Sequence, residues 1–135
     1  MPDIGKLPAM SDRVYVLGDA DRIRERIEGY LLGDRPADVR TFSERLAVGL
    51  REFVCSAELL LGADVLMAGG DDVLLCVKAT SYSRHTLEEL AKTFCQATGC
   101  TISLGVGGDV SIAYLNLRRA KAAGGGVIAG GPTPT

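Results

Sequence analysis

The chain has 135 residues, 47% of them apolar, with 15 basic and 17 acidic side chains and a net charge of −2. That length suits one domain with one sizeable core, and the apolar share excludes a disordered chain. The near balance of charge argues against a general nucleic-acid coat, but it leaves room for a basic pocket around one anionic ligand.

Residues 1–12, polar and proline-containing, are expected to form an N-terminal arm. Residues 14–18, VYVLG, are β-branched and aromatic and read as a buried strand ending at Asp19. In the next segment Ile23, Ile27, Tyr30 and Leu31 share one helical face, and Gly33 and Asp34 stop the helix. Pro36 opens a second helix in which Val39, Phe42, Leu46, Leu50, Phe53, Val54 and Ala57 recur at three- and four-residue steps. Residues 59–68, LLLGADVLMA, read as a strand, residues 69–71 as a turn, and residues 72–79 as the returning strand of a hairpin that carries GGDD at its tip. Ser83 is placed to cap a third helix with Leu87, Leu90, Ala91 and Phe94 on its apolar face. TISLGVG, residues 101–107, is a further strand, residues 111–123 a fourth helix, and residues 127–129 a short edge strand.

Removing one of the paired helices leaves βαββαβ, so the fold class is α+β, ferredoxin-like, with an extra helix and a mainly antiparallel sheet. Residues 13–129 form one domain and residues 130–135 a flexible tail. In that topology the first and third strands are antiparallel neighbours. The end of one, at Asp19, then meets the start of the other, at Asp71 and Asp72. Like charges this close repel unless a cation lies between them. Oxygen ligands with no His or Cys nearby favour Mg²⁺ or Mn²⁺, bound together with substrate phosphates. Such metals activate an attacking hydroxyl and stabilise departing pyrophosphate. Gly69 and Gly70 permit a sharp turn and close backbone approach.

Cys55, Cys76, Cys95 and Cys100 show no CxxC spacing and read as buried reduced thiols. The longest apolar stretch is cut by Asp64, Asp71 and Asp72, and the first residues lack the build of a secretory signal. A cytoplasmic protein with no membrane contact and no general nucleic-acid binding is expected.

GDAD after a strand, AGGDD in a hairpin, TISLGVG and LRRAKAAGGG together resemble the palm domains of GGDEF-type diguanylate cyclases and of the CRISPR polymerase subunit. The chain is most similar to the stand-alone minimal CRISPR polymerases, from about residue 14 to residue 128. The resemblance implies that Asp19, Asp71 and Asp72 are catalytic and bind metal, with the Ala20 carbonyl helping. It implies that Arg24 and Lys121 contact the triphosphate, and that Ser103, with Gly69 and Gly70, lines the substrate pocket. It also implies a cyclic dinucleotide, cyclic di-AMP from ATP, made for anti-phage defence and read by a separate effector. GGDEF enzymes carry GRN after the final helix, where this chain has GGG. Their guanine-reading Asn falls on Ile27, which cannot hydrogen-bond a guanine edge. A GTP-using cyclase and a catalytically silent nucleotide-binding palm are the alternatives. Two phosphodiester bonds between two nucleotides require two facing palms, so a homodimer is expected on mechanism.

Overall fold

The computed structural model describes residues 12–132; the expected arm, apart from Asp12, and the last three residues of the expected tail lie outside them. Five strands and four helices follow in the order β1 (Arg13–Ala20), α1 (Ile23–Leu32), α2 (Pro36–Leu61), β2 (Asp64–Ala68), β3 (Asp72–Lys78), α3 (Arg84–Thr98), β4 (Ile102–Gly107), α4 (Val110–Ala122) and β5 (Ile128–Gly130). The sheet order is β2-β3-β1-β4-β5. All pairings are antiparallel except β4 with β5. This is the expected α+β arrangement, with β1 and β3 as central neighbours.

The period of two along β1 divides the molecule into two layers. Val14, Val16 and Ala20 join Val73, Leu75 and Val77 of β3 and Ile102, Leu104 and Val106 of β4 in one apolar face. On that face α2 supplies Phe42, Leu46, Leu50 and Phe53, and α3 supplies Leu87, Leu90 and Phe94. Phe53 and Phe94 meet edge to face, with ring centroids 6.4 Å apart. Each of these buried side chains contributes about 1.5–3 kcal/mol.

The opposite face of β1 and β4 is covered by α4, which leaves every residue of β4 buried. Gly105 explains how close that helix lies. A Cβ at this position would stand 2.1 Å from the Leu117 nitrogen and 2.2 Å from the Ala113 oxygen, both helix backbone. The helix starts one residue earlier than the sequence suggests because Asp109 caps it, accepting from the Ile112 N–H at 2.8 Å. Ser83 caps α3 as expected, through the Thr86 N–H.

Four expectations are corrected. Residues 59–61 continue α2 and are not strand. Leu61 extends the stripe from Phe53 and Ala57 and is 1% exposed, and Gly62 then closes the helix in the left-handed conformation. Leu31 is 63% exposed, since α1 turns Ile23, Ile27 and Tyr30 to the core and leaves Leu31 outside that face. Cys55 is exposed, while Cys76 and Cys100 are buried and Cys95 is intermediate; all four are free thiols. Gly130, assigned to the tail, ends β5 in register with Val106. Among the described residues no helix is long and apolar enough to cross a membrane.

Candidate active site

The antiparallel register places Asp19 directly opposite Asp72 on β3, and opposite Ser103 on β4. Directly opposed residues present side chains on one face, with Cβ atoms about 5 Å apart. That face is the α4 face, since Leu17, two residues before Asp19, pairs with Gly105. Asp71 lies in the turn, and its carbonyl accepts the Ala20 N–H at 2.8 Å, fixing the turn to the end of β1. The turn is tightened by a Gly69 N–H bond to the Asp72 carbonyl at 2.9 Å.

Lys121 reaches this point from the last turn of α4. Its Nζ lies 3.1 Å from Asp19 Oδ2 and 2.6 Å from Asp21 Oδ1. It also donates to the carbonyls of Asp19 and Ala20, both at 3.2 Å. One ammonium thus neutralises the end of β1 and ties α4 to it.

Asp21, which the sequence reading passed over, is the most fully satisfied carboxylate of the group. Besides Lys121 it accepts from Ser103 Oγ and Thr101 Oγ1, both at 2.7 Å, and from the Gly126 N–H at 2.9 Å. Burial alone would push its carboxyl up. The hydrogen bonds from Lys121, Thr101 and Ser103, with the Lys121 charge, outweigh that and hold it below the usual carboxylate range. Asp19 behaves oppositely. Burial, helped by the charges of Asp71 and Asp72, raises it despite the hydrogen bond and charge of Lys121. For Lys121, burial works against the charged form, but Asp21 and Asp19 more than compensate and raise it.

The remaining expected residues are placed as follows. Arg24 is exposed on α1 and has no partner among the described residues. Ser103 is fully buried, its hydroxyl committed to Asp21 and to the Gly126 N–H. Gly69 and Gly70 border an apolar cavity of about 250 Å³ that is otherwise lined by Ala68 of β2 and by α2, including Ala47, Leu50, Val54 and Arg51. Asp21 had a readable signal. Thr101 and Ser103, two residues apart, place two hydroxyls on one side of a strand otherwise made of apolar residues and glycine.

Do these groups suit a divalent ion? Among the described residues no set of three or more His, Cys, Asp or Glu side chains is close enough to hold one. Mg²⁺, however, is commonly held by one or two carboxylates plus substrate phosphates. Asp19 and Asp72 on adjacent strands, with the Ala20 carbonyl beside them, meet that requirement. The donor set fits.

Fold and site together define a palm-type α+β domain. A crystal structure of a Csm1-Csm4 cassette in complex with pppApA matches with a TM-score of 0.67 at 19% identity, over 90% of this chain and 21% of that chain. A Csm1-Csm4 cassette in complex with one ATP matches with a TM-score of 0.61 at 21% identity, over 90% of this chain and 21% of that chain. The active GGEEF domain of a diguanylate cyclase from Vibrio cholerae matches at 0.52 and 12% identity, over 87% of this chain and 81% of that one. The chain thus spans about a fifth of the Csm1-Csm4 chains it resembles. Residues 15–130 match mCpol, the minimal CRISPR polymerase domain, and the chain belongs to that family. No curated protein matches it in sequence.

Proposed function

We propose that this protein is a metal-dependent nucleotidyltransferase that joins two ATP molecules into a cyclic dinucleotide, a signal for anti-phage defence read by a separate effector. The observation that carries the reading is Asp19 opposite Asp72, with Lys121 seated against Asp19 and the Ala20 carbonyl. Family membership supports it, as does the fold shared with structures described in complex with ATP, pppApA and cA4.

Asp19, Asp72 and the Ala20 carbonyl would hold Mg²⁺ or Mn²⁺, with Asp71 available from the turn. When bound, such an ion activates the attacking hydroxyl and neutralises charge on the departing pyrophosphate. Lys121 holds a fixed positive charge beside that position, where it can bind triphosphate oxygens. Arg24, exposed and unpaired, is free to reach a phosphate from the other side of the β1–α1 connection. The apolar cavity beside Gly69 and Gly70 suits a purine ring. Ile27 packs against the core and offers no donor to guanine, which favours adenine. Two bond-forming events between two nucleotides support a homodimer of facing sites, working in the cytoplasm.

A second reading, a palm that binds nucleotide without turning it over, draws on a specific observation: Lys121 already satisfies Asp19. One experiment separates the two. The protein is incubated with ATP, GTP, CTP and UTP plus Mg²⁺ or Mn²⁺, and products are identified by mass spectrometry and linkage-specific nucleases. A cyclic adenine dinucleotide that is lost in Asp19→Asn and Asp72→Asn supports synthesis. ATP binding with no product under either metal supports the silent palm.

A further inference from the structure

A cavity of about 590 Å³ is distinct from the one beside the GGDD turn. It lies between one face of α1 and the segment that enters β4. None of Asp19, Arg24, Asp71, Asp72 and Lys121 lines it. Three guanidinium groups do: Arg22 and Arg26, one helical turn apart, and Arg35 at the start of α2.

The three differ in how far they are engaged. Arg26 donates to the Gly99 carbonyl at 3.1 Å and lies over the Phe42 ring at 5.3 Å, so it forms a fixed wall. Arg35 pairs only with its exposed neighbour Asp38. Arg22 has no partner among the described residues. Its backbone also sits in the left-handed region, at φ 58° and ψ 33°, a conformation that non-glycine residues rarely adopt. Such strain persists where surrounding structure imposes it, and here it opens α1 with a free guanidinium at the cavity rim. Two carboxylates line the same space. Asp21 is already saturated by Lys121, Thr101, Ser103 and Gly126, which leaves Glu25 as the single opposing charge. Tyr30 adds an aromatic edge. Guanidinium forks, an aromatic ring and this volume together match a phosphate-bearing nucleotide.

We infer that this cavity is a second nucleotide-phosphate site, separate from the one that would carry out synthesis. Thr101 links the two, since it lines the cavity and donates to Asp21, which in turn holds Lys121. A ligand seated on Arg22 and Arg35 therefore acts one hydrogen bond away from the carboxylate that positions Lys121. The ligand chemistry has two sources, free ATP or the cyclic dinucleotide product.

The test uses isotopically labelled full-length protein carrying Asp71→Asn and Asp72→Asn, kept in EDTA so that no metal-dependent site contributes. ATP, cyclic di-AMP and inorganic pyrophosphate are titrated separately while backbone amide shifts are followed. The expected result is a saturable shift of Gly29, Gly99 and Thr101 with a nucleotide, and about a tenfold or greater loss of affinity in Arg22→Ala/Arg35→Ala. Saturation by ATP identifies a substrate-type ligand, and saturation by cyclic di-AMP a product-type one. Since Arg35 also starts a helix, Arg22→Glu alone repeats the test at an exposed position and should give the same loss. The inference is overturned if neither nucleotide shifts those amides, if only pyrophosphate does, or if both arginine variants bind as the parent does. Synthesis does not enter the readout, so the result stands whether or not the protein proves to be a cyclase.

Discussion

Replacing Asp21 by Asn keeps the shape of the side chain but removes its charge and one acceptor. In the native protein one carboxylate oxygen takes Lys121 and Ser103, and the other takes Thr101 and the Gly126 N–H. An amide can satisfy only one of those ends. With its oxygen toward Lys121, its NH₂ group faces two donors. Each donor left without an acceptor costs about 1–3 kcal/mol, so the pair gives roughly 2–6 kcal/mol. The Thr101 hydroxyl can turn to accept, and Gly126 retains Ser103 Oγ at 3.0 Å, which draws the sum down. Lys121, 30% exposed, loses its shortest ion pair but keeps Asp19. The total settles near 3 kcal/mol. Urea unfolding at neutral pH should show the midpoint falling by between about 1 and 2 M at unchanged slope. A loss below about 1 kcal/mol would refute the idea that Asp21 is the hub of this end of the molecule. Asp19→Asn is the internal contrast. Its carboxyl is raised by burial, so neutralising it without metal should leave stability unchanged or improve it.

The same two carboxylates give a pH signature of opposite signs. Asp21 is depressed, so its contribution is present above the unfolded value of about 3.9 and is lost as pH falls through the lower folded value; acid unfolding of Asp21→Asn should lack that component. Asp19 is raised, so its contribution is present below the unfolded value and is lost as pH rises through the folded one, and Mg²⁺ affinity measured by calorimetry should increase over that interval. Gly105→Ala should lower stability by about 3 kcal/mol or more, since backbone cannot yield as a side chain does, with a drop in melting temperature as the readout. Lys121→Ala should raise KM for ATP, or lower kcat if the lysine acts mainly on departing pyrophosphate; unchanged steady-state kinetics would remove it from the reaction.

The strands and helices were legible because their patterns are unambiguous. The α2 stripe runs at 3.6, and Ser83 and Pro36 mark starts that hold in the structure. The meeting of the end of β1 with the start of β3 followed from a topological rule, given the order of elements; the register bears it out for Asp19 and Asp72, while Asp71 stays in the turn and no three-carboxylate cluster forms among the described residues. The end of α2 was misread because three leucines before a glycine fit either a helix or a strand when taken alone. Leu61 belongs to the helix because Phe53 and Ala57 precede it on the same face. Asp21 carried only one local sign, the paired hydroxyls of Thr101 and Ser103. Its partners Thr101, Ser103, Lys121 and Gly126 lie at least 80 residues away, and only the folded sheet assembles them. The lysine was found by resemblance alone. Its spacing carries no sign that it turns back onto the end of the first strand.

The three glycines after α4 bear on how this lineage could change. At Gly125 φ is +81°, and an added Cβ would sit 2.9–3.1 Å from the carboxylate of Asp21. GGDEF enzymes carry arginine at the corresponding place. Here any side chain at that place would have to adopt the left-handed backbone and would press on the Asp21 carboxylate that anchors Lys121. A residue added in this turn would therefore be felt at Lys121, through the acid that holds it.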